Sequence, residues 1–225
     1  MRFYIDPQDN YIQEISSFVR SSALLSRIHQ KMAKKLQSVG IAEPNELVSV
    51  LAPDKSGQRH AYAMLWGFNT TDPLRIRFDA KLEGIDRDMR FRDDFLKHRC
   101  AIPCTFLLEK AQRRANNGSV SEGKEYVLQP SGKDRAYIGG IYRIEEGIPR
   151  CIILYKASSG EYKRKVSERI PLLVPEELVT DWISPSVDPK YLLGRLDQEI
   201  LFEEFDPTSI SWEWSYYDTS GNYDF

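Results

Sequence analysis

With 225 residues, 41% hydrophobic and 28% charged, the chain has enough apolar material for one sizeable core and does not require two. No apolar run approaches the roughly 20 residues that span a bilayer, and the opening MRFYIDPQD carries no hydrophobic signal segment, so neither membrane nor secretory features are expected and the cytoplasm is the expected location. The formal net charge of −2 conceals an asymmetry: eight of the 33 acids lie beyond Arg195 with no Lys or Arg among them, which leaves 25 acids against 31 bases in residues 1–195. A basic body with an acidic end fits an anionic partner, although a solvated face carries a charge excess too.

Residues 11 to 36 place Ile12, Ile15 and Val19, then Leu24, Ile28, Met32 and Leu36, at three- and four-residue intervals before Gly40, which predicts two short helices or one bent one. ELVSVLAP and AYAMLWGF read as a hairpin about the turn-forming DKSGQ. DMRFRDDFLKHR suits a helix with Phe91 and Phe95 on one face. CAIPCTFLLE, KEYVLQPS, RAYIGGIYRI and RCIILYKAS then read as strands. PEELVTDWI and YLLGRLDQEI predict two further helices, the first with Pro175 at its start, and the tail SISWEWS predicts a strand before a frayed end. The class is α+β: a single compact, β-rich domain of twisted, barrel-like antiparallel sheets with flanking helices, expected to be a monomer. It divides into residues 1–195 and an acidic, aromatic extension over 196–225.

Cys100, Cys104 and Cys151 are odd in number and lie in apolar strand-like surroundings, the pattern of buried free thiols. A zinc site would need paired short spacings with further Cys or His, and only Cys-x3-Cys with His98 is present, so no metal and no cofactor is expected.

Several segments together resemble the SOS response-associated peptidase (SRAP) family: MRFYID, PNELVSVL, LWGF, DAKLE, FRDDFLKHRCAIPCTFLLEK, YIGGIYR, PRCIILYKAS and ERIPLLVPEELVTDWI, in order along residues 1 to about 195. The resemblance implies a compact β-rich domain with a groove for single-stranded DNA, used in the DNA-damage response to recognise abasic sites. In the family a cysteine exposed by removal of the initiator Met traps the sugar aldehyde as a thiazolidine, aided by an Asn, a Glu and a His, and the same groups are read as a self-processing peptidase.

Carried over singly, these groups are mostly replaced. The family start Met-Cys-Gly-Arg-Phe is Met1-Arg2-Phe3, so the nucleophile is missing, and the bulky Arg2 disfavours removal of Met1. Asn-Ala-Arg becomes Asp79-Ala80-Lys81, and His-Asp-Arg-Met-Pro becomes Ser167-Glu168-Arg169-Ile170-Pro171. Glu109 survives at the end of its apolar run, either as an inherited active-site acid or as a residue that caps a strand end or pairs with Lys110 or Arg169. A thiazolidine ring needs thiol and α-amine on one residue, so an internal Cys104 cannot form it, and the crosslinking or peptidase activity is expected to be lost.

What the resemblance leaves is binding. Arg2, Lys81, Arg92 and Arg169 match positions of the family's DNA surface and suit phosphates, while Trp66 suits base stacking. Core packing beside Gly67 is the competing reading for Trp66, and ion pairs with Asp93 or Glu168 compete for Arg92 and Arg169. The run YKRK over 162–165 reads as a polar loop rather than a groove rim. The expected function is noncovalent binding of single-stranded or abasic DNA. An enzyme forming a Schiff base through the Met1 amine, with Glu109 or Asp79 moving protons, is the alternative. A protein-interaction scaffold is the other.

Overall fold

In the computed structural model, which describes residues 1–72, 74–114 and 120–206, the chain opens with β1 (Arg2–Ile5), α1 (Asn10–Arg20) and α2 (Ala23–Met32), followed by β2 (Leu36–Gln37) and β3 (Gly40–Ala42). The hairpin β4 (Leu47–Pro53) and β5 (Arg59–Trp66) precedes β6 (Phe68–Asn69), β7 (Ile76–Arg77), β8 (Asp79–Lys81) and α3 (Arg92–Lys97). The long strands are β9 (Arg99–Cys104), β10 (Phe106–Arg114), β11 (Val120–Pro130), β12 (Ala136–Glu145) and β13 (Ile148–Ala157). Then come α4 (Gly160–Lys165), β14 (Arg169–Pro171), a 3-10 turn over Glu176–Leu178, α5 (Val179–Ile183), α6 (Pro189–Leu193) and β15 (Ile200–Glu204).

Strands β12, β9, β4, β5 and β13 pair edge to edge, and β13 pairs back onto β12, which closes a five-stranded barrel. A second five-stranded sheet has the order β15-β11-β10-β1-β3. The barrel is not wholly antiparallel as expected: β13 runs parallel to both β5 and β8, and β2 runs parallel to β4. Parallel partners are joined by long crossovers rather than tight turns, so no local turn signal announces them. Closure is tight at Gly140, where an added Cβ would lie 2.5 Å from the Ile152 carbonyl oxygen across the β12–β13 pair.

Barrel strands are buried on both faces. Val48, Val50, Trp66, Ile102 and Ile153 pack with Phe3, Leu107 and Leu128 of the second sheet. From the alternate positions, Leu51, Ile141, Ile152 and Leu154 meet Phe91 and Phe95 at α3 and Trp182 of α5, while Leu47 and Leu65 meet Val19, Leu25 and Ile28 of α1 and α2. This double burial is why the strands read as nearly continuous apolar runs.

Several element boundaries differ from expectation. The N-terminal periodicity splits at Ser21–Ser22, where Ser22 accepts from the Leu25 amide as a new N-cap, and helix ends at Ala33 in the left-handed region, φ 52°, ahead of Gly40. Leu36 belongs to β2, and α3 is a six-residue helix. CAIPCTFLLE is two strands: β9 lies in the barrel and β10 in the second sheet. The break falls at Thr105, whose amide donates to Tyr4 O and whose Oγ1 accepts from the Asp6 amide. YLLGRLDQEI is helical only to Leu193, and Ile200 begins β15, which pairs with β11. The strand expected at SISWEWS and the tail after it lie outside the described residues. No helix of the described residues is long and apolar enough to cross a membrane.

Arg99, fully buried at the head of β9, locks the helical layer to the barrel. Its guanidinium donates to the carbonyls of Phe95 and Leu96 at the end of α3, and of Trp182, Ser184 and Val187 at the end of α5 and beyond. These acceptors include helix-end carbonyls, which lack intrahelical donors. Replacing Arg99 with Leu strands them in the interior and is expected to cost on the order of 3 kcal/mol or more, measured as a lower midpoint in urea denaturation. A loss below about 1 kcal/mol, the net worth of one ordinary hydrogen bond, would mean that the carbonyls find other donors.

Candidate functional site

Register alone places the first elements of the site. Arg2 on β1 pairs with Leu108 on β10, so Met1 falls beside Glu109, and the Met1 nitrogen lies 3.7 Å from Glu109 Oε2. The side chains of Met1 and Glu109 are 1% and 4% exposed, while Met1 as a residue is partly exposed, so its solvent-facing part is main chain. The Tyr155 hydroxyl donates to the same Glu109 oxygen at 3.1 Å.

Tyr155 lies on β13 where both edges are paired, with Lys81 of β8 on one side and Pro171 of β14 on the other. Asp79 and Arg169 rise from these flanking strands and join through two hydrogen bonds of 3.1 Å, and the guanidinium carbon sits 4.4 Å from the Tyr155 ring centroid. Met1, Asp79, Glu109 and Arg169 are thus brought together. Of the competing placements for Glu109, a strand-end surface position does not hold, because the carboxylate is buried in mid-strand.

Burial is the largest influence on Glu109 and raises its carboxyl above the ordinary range, against the opposing pull of the Met1 amine, the Tyr155 hydroxyl and Arg169; Asp79 adds a smaller upward push. Burial, then the Glu109 charge, drives the Tyr155 phenol upward as well. Tyr155 therefore stays a donor to Glu109 throughout the neutral range.

A groove of about 790 Å³ opens beside this cluster, lined by Lys81, Lys124, Lys156, Lys163, Arg164, Lys165 and Arg169 against only two acids, Glu83 and Glu168, with Tyr126 and Tyr155 among its rings. The run at 162–165, expected as a loop, is part of α4 and forms a wall of this groove. Lys124, Lys156, Lys165 and Arg169 each hold a carboxylate, whereas Lys81, Lys163 and Arg164 form no salt bridge among the described residues.

Other expected contacts fall elsewhere. Trp66 is 1% exposed, packs on Phe3 with ring centroids 5.4 Å apart, and donates its indole N–H to Phe78 O, so it is a core residue and not a stacking platform. Its alternation along β5 directs it inward. Arg2 spends its guanidinium on Glu125, at 2.7 Å to each oxygen, and on Glu43. Arg92 is exposed at the start of α3, which packs on β9 and β12, and it is not among the groove residues. Sequence reasoning missed Tyr155, Tyr126, Lys124 and Lys156. Tyr155 sits in the segment PRCIILYKAS, but nothing local marks its hydroxyl as the partner of an acid 46 residues away. The three cysteines are buried as expected, and among the described residues no cluster of His, Cys, Asp or Glu could hold a metal ion.

A family model described as SOS response associated peptidase (SRAP) matches residues 8–212. The chain belongs to the SRAP family. Its fold is shared by solved structures of low identity. A Bacteroides thetaiotaomicron protein is 16% identical with a TM-score of 0.64, covering 91% of this chain and 92% of its own. A phage-related protein of Bordetella bronchiseptica is 14% identical with a TM-score of 0.58, covering 82% and 91% respectively. A second Bordetella bronchiseptica protein is 12% identical with a TM-score of 0.62, covering 91% and 99%. No curated protein matches the sequence. In this SRAP chain Arg169 is bound to Asp79 through both of its terminal guanidinium nitrogens.

The raised Glu109 carboxyl carries a pH signature. A carboxyl raised on folding favours the native state when protonated, so its contribution is full below the ordinary range near about pH 4.3 and is lost as pH rises through the raised value. Glu109→Gln keeps an acceptor for Tyr155 without the charge. The variant is expected to match the wild type in thermal midpoint near about pH 4 and to exceed it near about pH 8. A midpoint difference that is the same at both pH values would contradict the raised carboxyl.

Proposed function

We propose that this SRAP protein binds single-stranded DNA, with an abasic residue held over Glu109 and Tyr155, and that it does so without the thiazolidine crosslink. Membership of the SRAP family links the chain to the DNA-damage response. The observation that carries the finer reading is the charge of the groove, seven basic side chains to two acidic, with Tyr126 and with Tyr155, the hydroxyl partner of the buried Glu109, in its lining. Lysines and arginines release condensed counterions when they neutralise phosphates, and a partly exposed ring offers a face for a base. The lack of crosslinking is supported by Cys100, Cys104 and Cys151, which are all fully buried and deliver no thiol to the groove.

Fluorescence anisotropy with a labelled single strand tests the binding. Lys81, Lys163 and Arg164 are the phosphate contacts in this reading, since no acid among the described residues pairs with them. Replacing all three with Ala should weaken binding and reduce the slope of log K against log salt by about 0.7 for each phosphate no longer neutralised. No binding by the wild type at low salt, or a slope untouched by the triple substitution, would favour the scaffold reading.

A second reading has a specific observation behind it, the Met1 nitrogen held 3.7 Å from Glu109 with its main chain facing solvent. A neutral amine there would add to the ring-opened sugar aldehyde, and the carbinolamine would lose water to give an imine. Glu109 would take the proton from nitrogen and return it to the departing hydroxyl. Borohydride would then reduce the imine to a stable secondary amine joining protein and DNA. Denaturing electrophoresis should show a shifted band only with borohydride, and Glu109→Gln should lower its yield tenfold or more, since a positioned acid or base contributes roughly 10²-fold. A band without reductant would contradict the noncovalent proposal, and no band under either condition removes the Schiff base.

A further inference from the structure

Two of the groove's lysines are held by the segment that follows α6. Lys156 Nζ lies 2.6 Å from Asp197 Oδ1, and Lys124 Nζ lies 2.6 Å from Glu204 Oε2. Both lysines line the groove. The carboxylates are 81% and 51% exposed, so these are solvent-facing pairs of the weak, exchangeable kind.

The acids are positioned by contacts other than the lysines. Leu196, 1% exposed, anchors one end of the segment in the core. At the other end β15 pairs with β11 from Pro130↔Ile200 to Tyr126↔Glu204. Between them the Phe202 ring packs against Tyr126, at 6.2 Å between centroids, and edge-on against Tyr162 of α4, at 5.3 Å. The segment therefore touches the groove through Tyr126 and the helix that carries Lys163, Arg164 and Lys165. Glu199 and Glu203 lie on the same segment, are exposed, and form no salt bridge among the described residues.

We propose that residues 197–204 form an acidic strap, in which Asp197 and Glu204 occupy cation sites of the groove and nucleic acid binds by displacing them. The inference rests on the groove being a single-strand site. Each carboxylate offers its lysine what a phosphate oxygen would offer, at a distance typical of a charge-assisted bond. Because β15 is fixed by its ladder and by Phe202, the strap stays docked while only its two side chains swing away. Binding is thereby tuned by ionic strength from both sides, since salt weakens the strap as well as the DNA contacts.

The test is anisotropy of a labelled oligothymidylate with the full chain, comparing wild type, Asp197→Asn with Glu204→Gln, and Glu199→Gln with Glu203→Gln. The two double variants lose the same charge from the same segment, and only the first loses the lysine pairs. The first is expected to bind on the order of threefold to tenfold more tightly than wild type at low salt, since exposed pairs are individually weak. The gain should fade at high salt. The second is expected to stay within about twofold of the wild type, as charges that form no pair act only through the screened field. Equal affinity of the first variant and wild type would overturn the strap while leaving the groove reading intact, and an equal gain in both variants would overturn it too, by reducing the effect to net charge. Absence of binding by all three proteins would remove the groove reading and the strap with it.

Discussion

Strand β13 hydrogen-bonds to β12, β5, β8 and β14, and the arrangement of the molecule follows from how those four partners share its two edges. Pairing with β5 and β12 closes the barrel at its N-terminal half. From Ile153 the parallel strand β8 takes the place of β5, and from Tyr155 β14 lies on the other edge. A strand whose edges change partners midway brings together residues far apart in the chain. Asp79 and Arg169, 90 residues apart, meet above Tyr155 for this reason. A slip of one residue in β13 would turn Tyr155 to the opposite face and separate the acid, the phenol and the guanidinium.

The second constraint is the transfer of the chain between sheets at Thr105. One continuous strand over residues 99–114 would have kept Glu109 within a single sheet. The break lets β9 complete the barrel while β10 crosses to pair with β1, and this sets Glu109 against the Met1 nitrogen on one side and Tyr155 on the other. Burying a carboxylate is costly unless hydrogen bonds and opposite charge offset the lost hydration. Glu109 has the Tyr155 donor, the Met1 nitrogen at 3.7 Å and a raised carboxyl, the profile of an acid retained in a poor solvent environment. Functional sites concentrate such groups, because burial and charged neighbours are what move a carboxyl toward the working pH.

Electrostatics is unevenly settled over the rest of the groove. Arg169 is committed to Asp79 and Arg2 to Glu125, so two cations that the family resemblance offers to DNA are engaged internally. The groove-lining cations that pair with no acid among the described residues belong to β8 and α4, and α4 is a short helix held from beneath by Tyr162, whose ring meets Phe202 of β15. The basic wall and the acidic C-terminal segment are thus parts of one packed unit.

Composition and periodicity by themselves determined the class: a β-rich chain with buried thiols, a hairpin about DKSGQ, and an apolar helix face beginning at Ile12. These features depend on local burial, which alternation along a strand or a helix records directly. The family motifs also marked Asp79, Glu109 and Arg169 before any contact was known. Only the tertiary structure decided what those residues touch. Trp66 is a core residue because its neighbour across the sheets is Phe3, the basic run at 162–165 is a groove wall because α4 packs on β15, and Tyr155 joins the site because β13 is paired on both edges. Each of those facts is a register or packing relation between segments distant in sequence, and a one-residue shift would reverse it without altering any local pattern.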